Sequence, residues 1–199
     1  MWKRRIKKWQ ALAIALSSVL LLWYLFCLPR NLFPDAEYST VVTDCNGELL
    51  GARIAKDGQW RFRMEEDDAG REKYYTALIE FEDRWFRWHP GVNPVSICNA
   101  LISNIKAGHV VSGGSTISMQ VIRMSRNRER SIKQKLIEAV LATRLELRYS
   151  KDEILRLYAG NAPFGGNVIG LDAAAWRYFG RPADELSWSE AATLAVLPN

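Results

Sequence analysis

Near the start of the chain lies an uncharged run, residues 9–29, whose apolar heart reads ALAIALSSVLLLWYLFCL. At about 1.5 Å per residue, roughly 20 residues cross a hydrocarbon core about 30 Å thick, so this run predicts one membrane-spanning helix. Trp9, Trp23 and Tyr24 stand where amphipathic rings anchor a span at its two interfaces. A linker over 30–38 follows, and then two short apolar runs flank Asn46-Gly47, with a second turn signal at Asp57-Gly58. Asn-Gly between such runs is a strong hairpin signal, so 39–63 is expected to form a small β element, too small to be a domain alone. From Asp67 the period becomes helical. Tyr74/Tyr75, Leu78/Ile79 and Trp85/Phe86 predict a helix that continues until His89-Pro90-Gly91 stops it. Further helices are expected over 95–106, from the glycine-rich loop 108–114 through Val121, over 131–147 and over 171–179, the last closed by Gly180. The helix at 131–147 has Ile132, Leu136, Val140, Leu141 and Leu145 as its apolar stripe. Ser150-Lys-Asp-Glu153 and Ser187-Trp-Ser-Glu190 have the form of capping boxes.

The expected architecture is therefore mainly α: a tip (1–8), an anchor (9–29), a linker with a small β element (30–64), and one α-rich domain (65–199) with a single core. The last helix runs to Pro198-Asn199 without a polar tail, which reads as a truncated end.

Charge sets the orientation. Lys3, Arg4, Arg5, Lys7 and Lys8 precede the apolar run with no acid among them. Basic residues beside a span stay in the cytoplasm, which puts everything after it outside. A cleaved secretory signal would have a shorter apolar region and small residues before its cleavage site. This run ends in the bulky Trp-Tyr-Leu-Phe-Cys-Leu-Pro, and Phe26 stands where a lipid-modified Cys27 would need a small neighbour. The chain has 27 Lys+Arg and 22 Asp+Glu; taking away the five basic residues of the tip leaves 22 against 22. The basic balance belongs to the tip, and a nucleic-acid partner loses its main support. Cys45 and Cys98 could pair in an oxidising compartment, although two unpaired, part-buried thiols are the plainer reading, and no metal-ligand spacing joins the cysteines to His89 or His109.

Two carboxylates stand out. Glu82 interrupts the apolar face formed by Leu78/Ile79 and Trp85/Phe86. Apolar neighbours raise a carboxyl pKa towards neutrality, which suits a general acid or base; the bland alternative is a solvated residue at the stripe's edge. Glu138 follows Lys135 by one turn, and Arg123, Arg126, Arg128, Arg130 and Lys133 precede it against Glu129 alone. Such a cluster is either a solvated face or a site where cations stabilise a phosphate or pyrophosphate. Gly113-Gly114-Ser115-Thr116 leads straight into a helix, as an anion-binding turn or as an ordinary N-cap formed by Ser115 or Thr116. It is not a P-loop, since no Gly-Lys-Ser/Thr follows.

Together these segments resemble the glycosyltransferase domain of bifunctional, class A penicillin-binding proteins, the family 51 peptidoglycan glycosyltransferases. EDRWFRWHPGVNP (82–94) is similar to that family's first motif, with Glu82, Asp83, Phe86, His89 and Gly91 in place; GGSTISMQ (113–120) to the second; and KLIEAVLATRLELRYSKDEIL (135–155), with Glu138 at its acidic position, to the third. YAGNAPFGGNVIGLDAAAWRYFG (158–180) is similar to the fourth, and SEAATLAVLP begins the fifth. Residues 39–63, Met119 and APFGG resemble the penicillin-binding protein 1C subgroup. Four positions depart from the common pattern: Met119 for Gln, Arg123 for Lys, Gln134 for Arg and Gly160 for Asn.

The resemblance implies a lysozyme-like fold and polymerisation of lipid II into glycan strands by inverting transfer, with loss of undecaprenyl pyrophosphate. It implies Glu82 as base and a catalytic part for Glu138, which would orient the cationic set or bind a divalent ion. It further implies substrate binding by Asp83, Gly114, Ser115, Thr116, Gln120, Arg123 and Lys135. No cofactor is required, magnesium or manganese at Glu138 being the one option. The expected partners are lipid II, the growing glycan chain, the membrane and other cell-wall synthesis proteins. The expected place is the bacterial inner membrane, single-pass, with the domain on the periplasmic side. A membrane-anchored muramidase and an inactive cell-wall scaffold are the competing readings.

Overall fold

The computed structural model describes residues 2–64, 70–109, 111 and 113–198, and the side chains of these except 2–8 and 11. The basic side chains of the tip, Asp67 at the expected onset of the helical pattern, positions 110 and 112 of the glycine-rich loop, and Asn199 lie outside that set.

The chain divides into two compact units, 1–32 and 33–199. The first contains helix α1, Trp2–Phe26. Its 25 residues would extend about 37 Å, and Leu12, Ile14, Leu16, Val19, Trp23 and Phe26 on it are exposed. Among the described residues, no helix is long and apolar enough to cross a membrane. The side chains described in α1 begin at Trp9 and omit Ala11, so the expected span falls partly outside them.

The second unit is mainly helical and includes the β element. Strands β1 (Thr40–Thr43) and β2 (Leu49–Arg53) pair antiparallel around the expected turn, where Gly47 takes φ +88°. Strand β3 (Trp60–Arg61) does not join that hairpin. It pairs in parallel with β4 (Val168–Ile169), and Asn167 Nδ2 donates to the Gly58 carbonyl at 3.0 Å.

Helix α2 spans Glu72–Glu82. It stops short of the expected His89-Pro90-Gly91, because Asp83 leaves helical space (φ −159°, ψ 72°) and residues 84–88 form turns. Helix α3 (Pro94–Ala107) is capped by the Asn93 side chain and closed by left-handed Gly108. Helix α4 (Ile117–Arg126) starts at the Thr116 cap and outruns the expected end at Val121. Helix α5 (Ile132–Glu146) starts at the Ser131 cap. Helices α6 (Lys151–Asn161) and α8 (Trp188–Val196) both begin with complete capping boxes, and α7 (Leu171–Phe179) ends at left-handed Gly180. A single 3₁₀ turn, Ala183–Glu185, lies between α7 and α8.

The core forms where α2 packs on α8 and where α4 packs on α5 and α6. Tyr74, Leu78, Ile117, Ile122, Leu145, Ile154, Leu155 and Leu194 are fully enclosed there, each stabilising the fold by about 1.5–3 kcal/mol. The face that α5 buries keeps only Leu141 and Leu145 of the expected stripe. Ile132, Leu136 and Val140 are exposed, while Glu138, Leu141, Ala142 and Leu145 point inward. The position of α4 decides this, and it draws an acid into the interface. Cys45 and Cys98 are free and exposed rather than part-buried.

Candidate functional site

The site is organised by the first turn of α4. Thr116 Oγ1 accepts from Met119 N–H at 3.2 Å and donates to the Gly91 carbonyl at 2.6 Å. Gly91 has φ +91°, and a Cβ there would lie 2.6 Å from the Ala142 carbonyl oxygen, so only glycine lets this segment close on α5. Gly114 does the same against α3: a Cβ on it would fall 2.7 Å from Ile97 Cα. Its part is close packing of the loop, with Ser115 half-buried beside it. In this arrangement the Thr116 hydroxyl is spent on protein partners.

Asp83 is buried and also serves α4. Its Oδ2 accepts from Ile117 N–H at 3.2 Å, supplying a negative charge to a helix N-terminus that favours one. His89 Nε2 lies 2.9 Å from the same carboxylate, and His89 Nδ1 accepts from Gly91 N–H at 3.2 Å. An Nδ1 that accepts carries no proton, so the imidazole has its proton on Nε2 and donates it to Asp83. The carboxylate that breaks α2 is thus held from two sides.

Glu82 is the last residue of α2 and half-buried. An acid in a helix's last turn meets the negative end of its dipole, a placement that local electrostatics disfavours. Its Oε2 accepts from Gln120 Nε2 at 2.5 Å. The amide's other end, Gln120 Oε1, lies 3.4 Å from Arg123 Nη2 and 3.5 Å from the Tyr158 hydroxyl. Two donors on Oε1 fix the amide's orientation, so its N–H₂ faces Glu82. Burial, and then the negative charge of Glu82, push the Tyr158 phenol above its ordinary pKa, partly offset by Arg123. Tyr74, deeper still, is shifted the same way chiefly by burial. Tyr158 therefore remains a donor throughout the physiological range.

Glu138 is buried on α5 within the electrostatic reach of Arg123. Burial raises its carboxyl above the ordinary range, and Arg123, Lys135, Arg126 and Arg130 pull the other way. Lys135 is itself exposed on α5. Hydrogen bonds thus run from Glu82 through Gln120 to Arg123, whose charge, with those of Lys135, Arg126 and Arg130, is felt at Glu138. Glu138's charged neighbours are cations, and among the described residues no three His, Cys, Asp or Glu side chains converge. A divalent ion there would have one carboxylate from the chain and would take its remaining ligands from phosphates and water.

Of the residues expected at a site, Glu82, Gln120 and Arg123 are joined by hydrogen bonds, and Glu138 and Lys135 are coupled to Arg123 or to each other through charge alone. Asp83, Thr116 and Gly114 form the frame that holds them. Tyr158 was missed: its sequence neighbours are apolar, and only the fold brings its hydroxyl to Gln120. A cavity of about 1030 Å³ elsewhere, lined by Arg63, Arg71, Asp172, Asp184 and others, touches none of these carboxylates. Its size carries less weight than the convergence of acid, amide and cations.

Residues 47–199 match the family described as transglycosylase. The chain belongs to the transglycosylase family. It is 46% identical over 158 residues to penicillin-binding protein 1C of Escherichia coli (strain K12), covering 79% of this chain and 20% of that protein. Over the same length it is 40% identical to penicillin-binding protein 1A of Aquifex aeolicus, covering 79% and 21%. It is 36% identical over 163 residues to penicillin-binding protein 1A/1B of Bacillus subtilis, covering 81% and 17%. The chain spans about a fifth of the length of these relatives. Every residue of the transglycosylase network described above falls inside the matched segment.

Proposed function

We propose that this transglycosylase polymerises lipid II into glycan strands. The observation that carries the proposal is the link from Glu82 through Gln120 to Arg123, which sets a carboxylate beside a cationic cluster. Glu82 takes the proton from the acceptor sugar's 4-hydroxyl. The oxygen so freed bonds to the donor's anomeric carbon. The bond from that carbon to undecaprenyl pyrophosphate breaks with the electron pair leaving on the pyrophosphate, and configuration inverts. Arg123 and Lys135 meet the developing negative charge, where preorganised cations act more strongly than in water. Gln120 orients Glu82, and Glu138 holds the cationic set. Asp83, Gly114, Ser115 and Thr116 shape the loop that receives the substrate. A lysozyme-like arrangement is supported by the mainly helical second unit.

The same reading makes α1 a single-pass anchor in the bacterial inner membrane, with the basic tip in the cytoplasm and Glu82 on the periplasmic side. Its support is the exposed apolar side chains of α1 and the basic sequence before them. Donor and acceptor are then lipids of the same leaflet, and anchoring raises their effective concentration. The growing glycan chain and other cell-wall synthesis proteins are the partners this place offers.

Labelled lipid II supplied to the membrane-reconstituted chain is expected to yield polymer. Glu82→Gln is expected to lower kcat by at least about 100-fold while the circular dichroism spectrum stays that of the wild type. Shortening of preformed glycan without polymer would replace this reading with a muramidase, and an active Glu82→Gln would remove Glu82 from the mechanism.

A further inference from the structure

Lysine at the first position of a helix is out of place. The N-terminus of a helix repels a cation, yet Lys151 is the first residue of α6, directly after the Ser150 cap. Its side chain is only 20% exposed, and its ammonium turns away from the helix to three partners. Nζ lies 2.7 Å from Glu146 Oε2 at the end of α5 and donates at 2.7 Å to the His89 carbonyl. It also sits 4.4 Å from the centre of the Phe86 ring. Glu146, 8% exposed, accepts in turn from Ser118 Oγ in the first turn of α4.

These contacts join α4, α5 and α6 to the irregular segment that follows Glu82. The segment's own backbone offers it only turn-type hydrogen bonds, such as Phe86 N–H to Asp83 and Trp88 N–H to Trp85. Phe86 and His89 are nevertheless buried. A buried ion pair is weak evidence of stabilisation, since desolvation offsets the attraction; its better-attested use is to select one geometry.

We infer that Lys151 is a positioning residue of this site, tying the segment after Glu82 to α5 so that His89 holds Asp83 and Asp83 holds the end of α2. It touches no substrate. It acts through the His89 carbonyl and Phe86, and the inference rests on the lipid II reading above for its kinetic part. If the tie is lost, Glu82 shifts relative to Gln120 and Arg123, and a displacement of about 1 Å can cost about 100-fold in rate.

The test uses the full membrane-reconstituted chain with Lys151→Met, which keeps the side chain's length and its packing on Phe86 but removes the charge. The expected result is a fall in kcat of about 10- to 100-fold with KM within about threefold, substantially restored in Lys151→Arg. A double variant, Glu146→Gln with Lys151→Met, leaves no unpaired buried carboxylate and covers the case in which the single variant does not fold. It is expected to fold and to stay slow; recovery of wild-type kcat would show that Lys151 merely neutralises Glu146 and would overturn the inference. Isotope-labelled histidine gives a reading independent of activity, since the chain has two histidines. The Nε2 proton of His89 is expected to lose its protection from exchange in Lys151→Met and to keep it in Lys151→Arg. An unchanged His89 signal would sink the inference even if polymerisation holds. A wild-type chain that makes no polymer would sink the lipid II reading while leaving this signal to decide the tie.

Discussion

Helices α3 and α4 are neighbours in sequence and opposites in use. Both start with a side-chain cap, Asn93 for α3 and Thr116 for α4, and both end on a left-handed residue. By local signals they are equally well made. Yet Ala100 is the one buried residue of α3, while Ile117 to Ile122 are buried without a break in α4. The apolar side chains of α3, Val95, Leu101, Ile102 and Ile105 among them, remain exposed. Capping and periodicity decide that a helix forms. Which helix becomes the core depends on how many elements converge on it, and α4 receives α5, α6 and the segment after α2. The candidate chemistry sits on the converged helix, where side chains cannot move independently.

The contrast can be broken by substitution. Ile122→Ala in α4 should cost about 2–5 kcal/mol in chemical denaturation, because a fully buried side chain leaves a cavity that its neighbours cannot close. A loss under about 1 kcal/mol there would mean that α4 is not the rigid centre.

The wall between α4 and α5 offers a second, smaller handle. Glu138 has a raised carboxyl pKa in the folded chain, chiefly from burial, so the native state binds its proton more tightly than the unfolded state does. Its contribution to stability is then full below the ordinary carboxylate range and declines as pH rises through the folded value. Glu138→Gln should remove that decline, so wild type loses ground to the variant between acid and neutral pH. Denaturation midpoints measured across that window check it, and parallel curves for the two proteins would contradict it.

The smallest effect belongs to α3. Ile105→Ser, at a residue 71% exposed, should change stability by no more than about 0.5 kcal/mol, measured the same way. A large loss would show that something covers that face in solution.

Legibility followed locality. The ends of α5, α6, α7 and α8 could be read from Ser131, Ser150, Gly180 and Ser187, and the hairpin from Asn46-Gly47, because each signal acts within a few residues. The end of α2 could not. The apolar period continues through Trp85 and Phe86, and the break at Asp83 comes from His89 and the distant amide of Ile117. The same holds for α5: nothing local distinguishes the Ile132/Leu136/Val140 row, which stays exposed, from the row carrying Glu138. At the site, the motif order singled out Glu82, Gln120, Arg123 and Glu138 as residues. Their linkage needed the packing of α4 against α2, α5 and α6, which also brings in Tyr158.

The parallel contact between β3 and β4 bears on time as well as shape. Asn167 reaches Gly58 across a separation of 109 residues. Closing a loop of that length is entropically costly, and its contacts form only after the chain between has been ordered. On a growing chain, Trp60 waits for α2 to α6 to be synthesised before its strand partner exists. Strand β3 is therefore sealed late in folding, although the β1–β2 hairpin closes locally, and the β3 amides should gain protection from hydrogen exchange after those of α5 and α6.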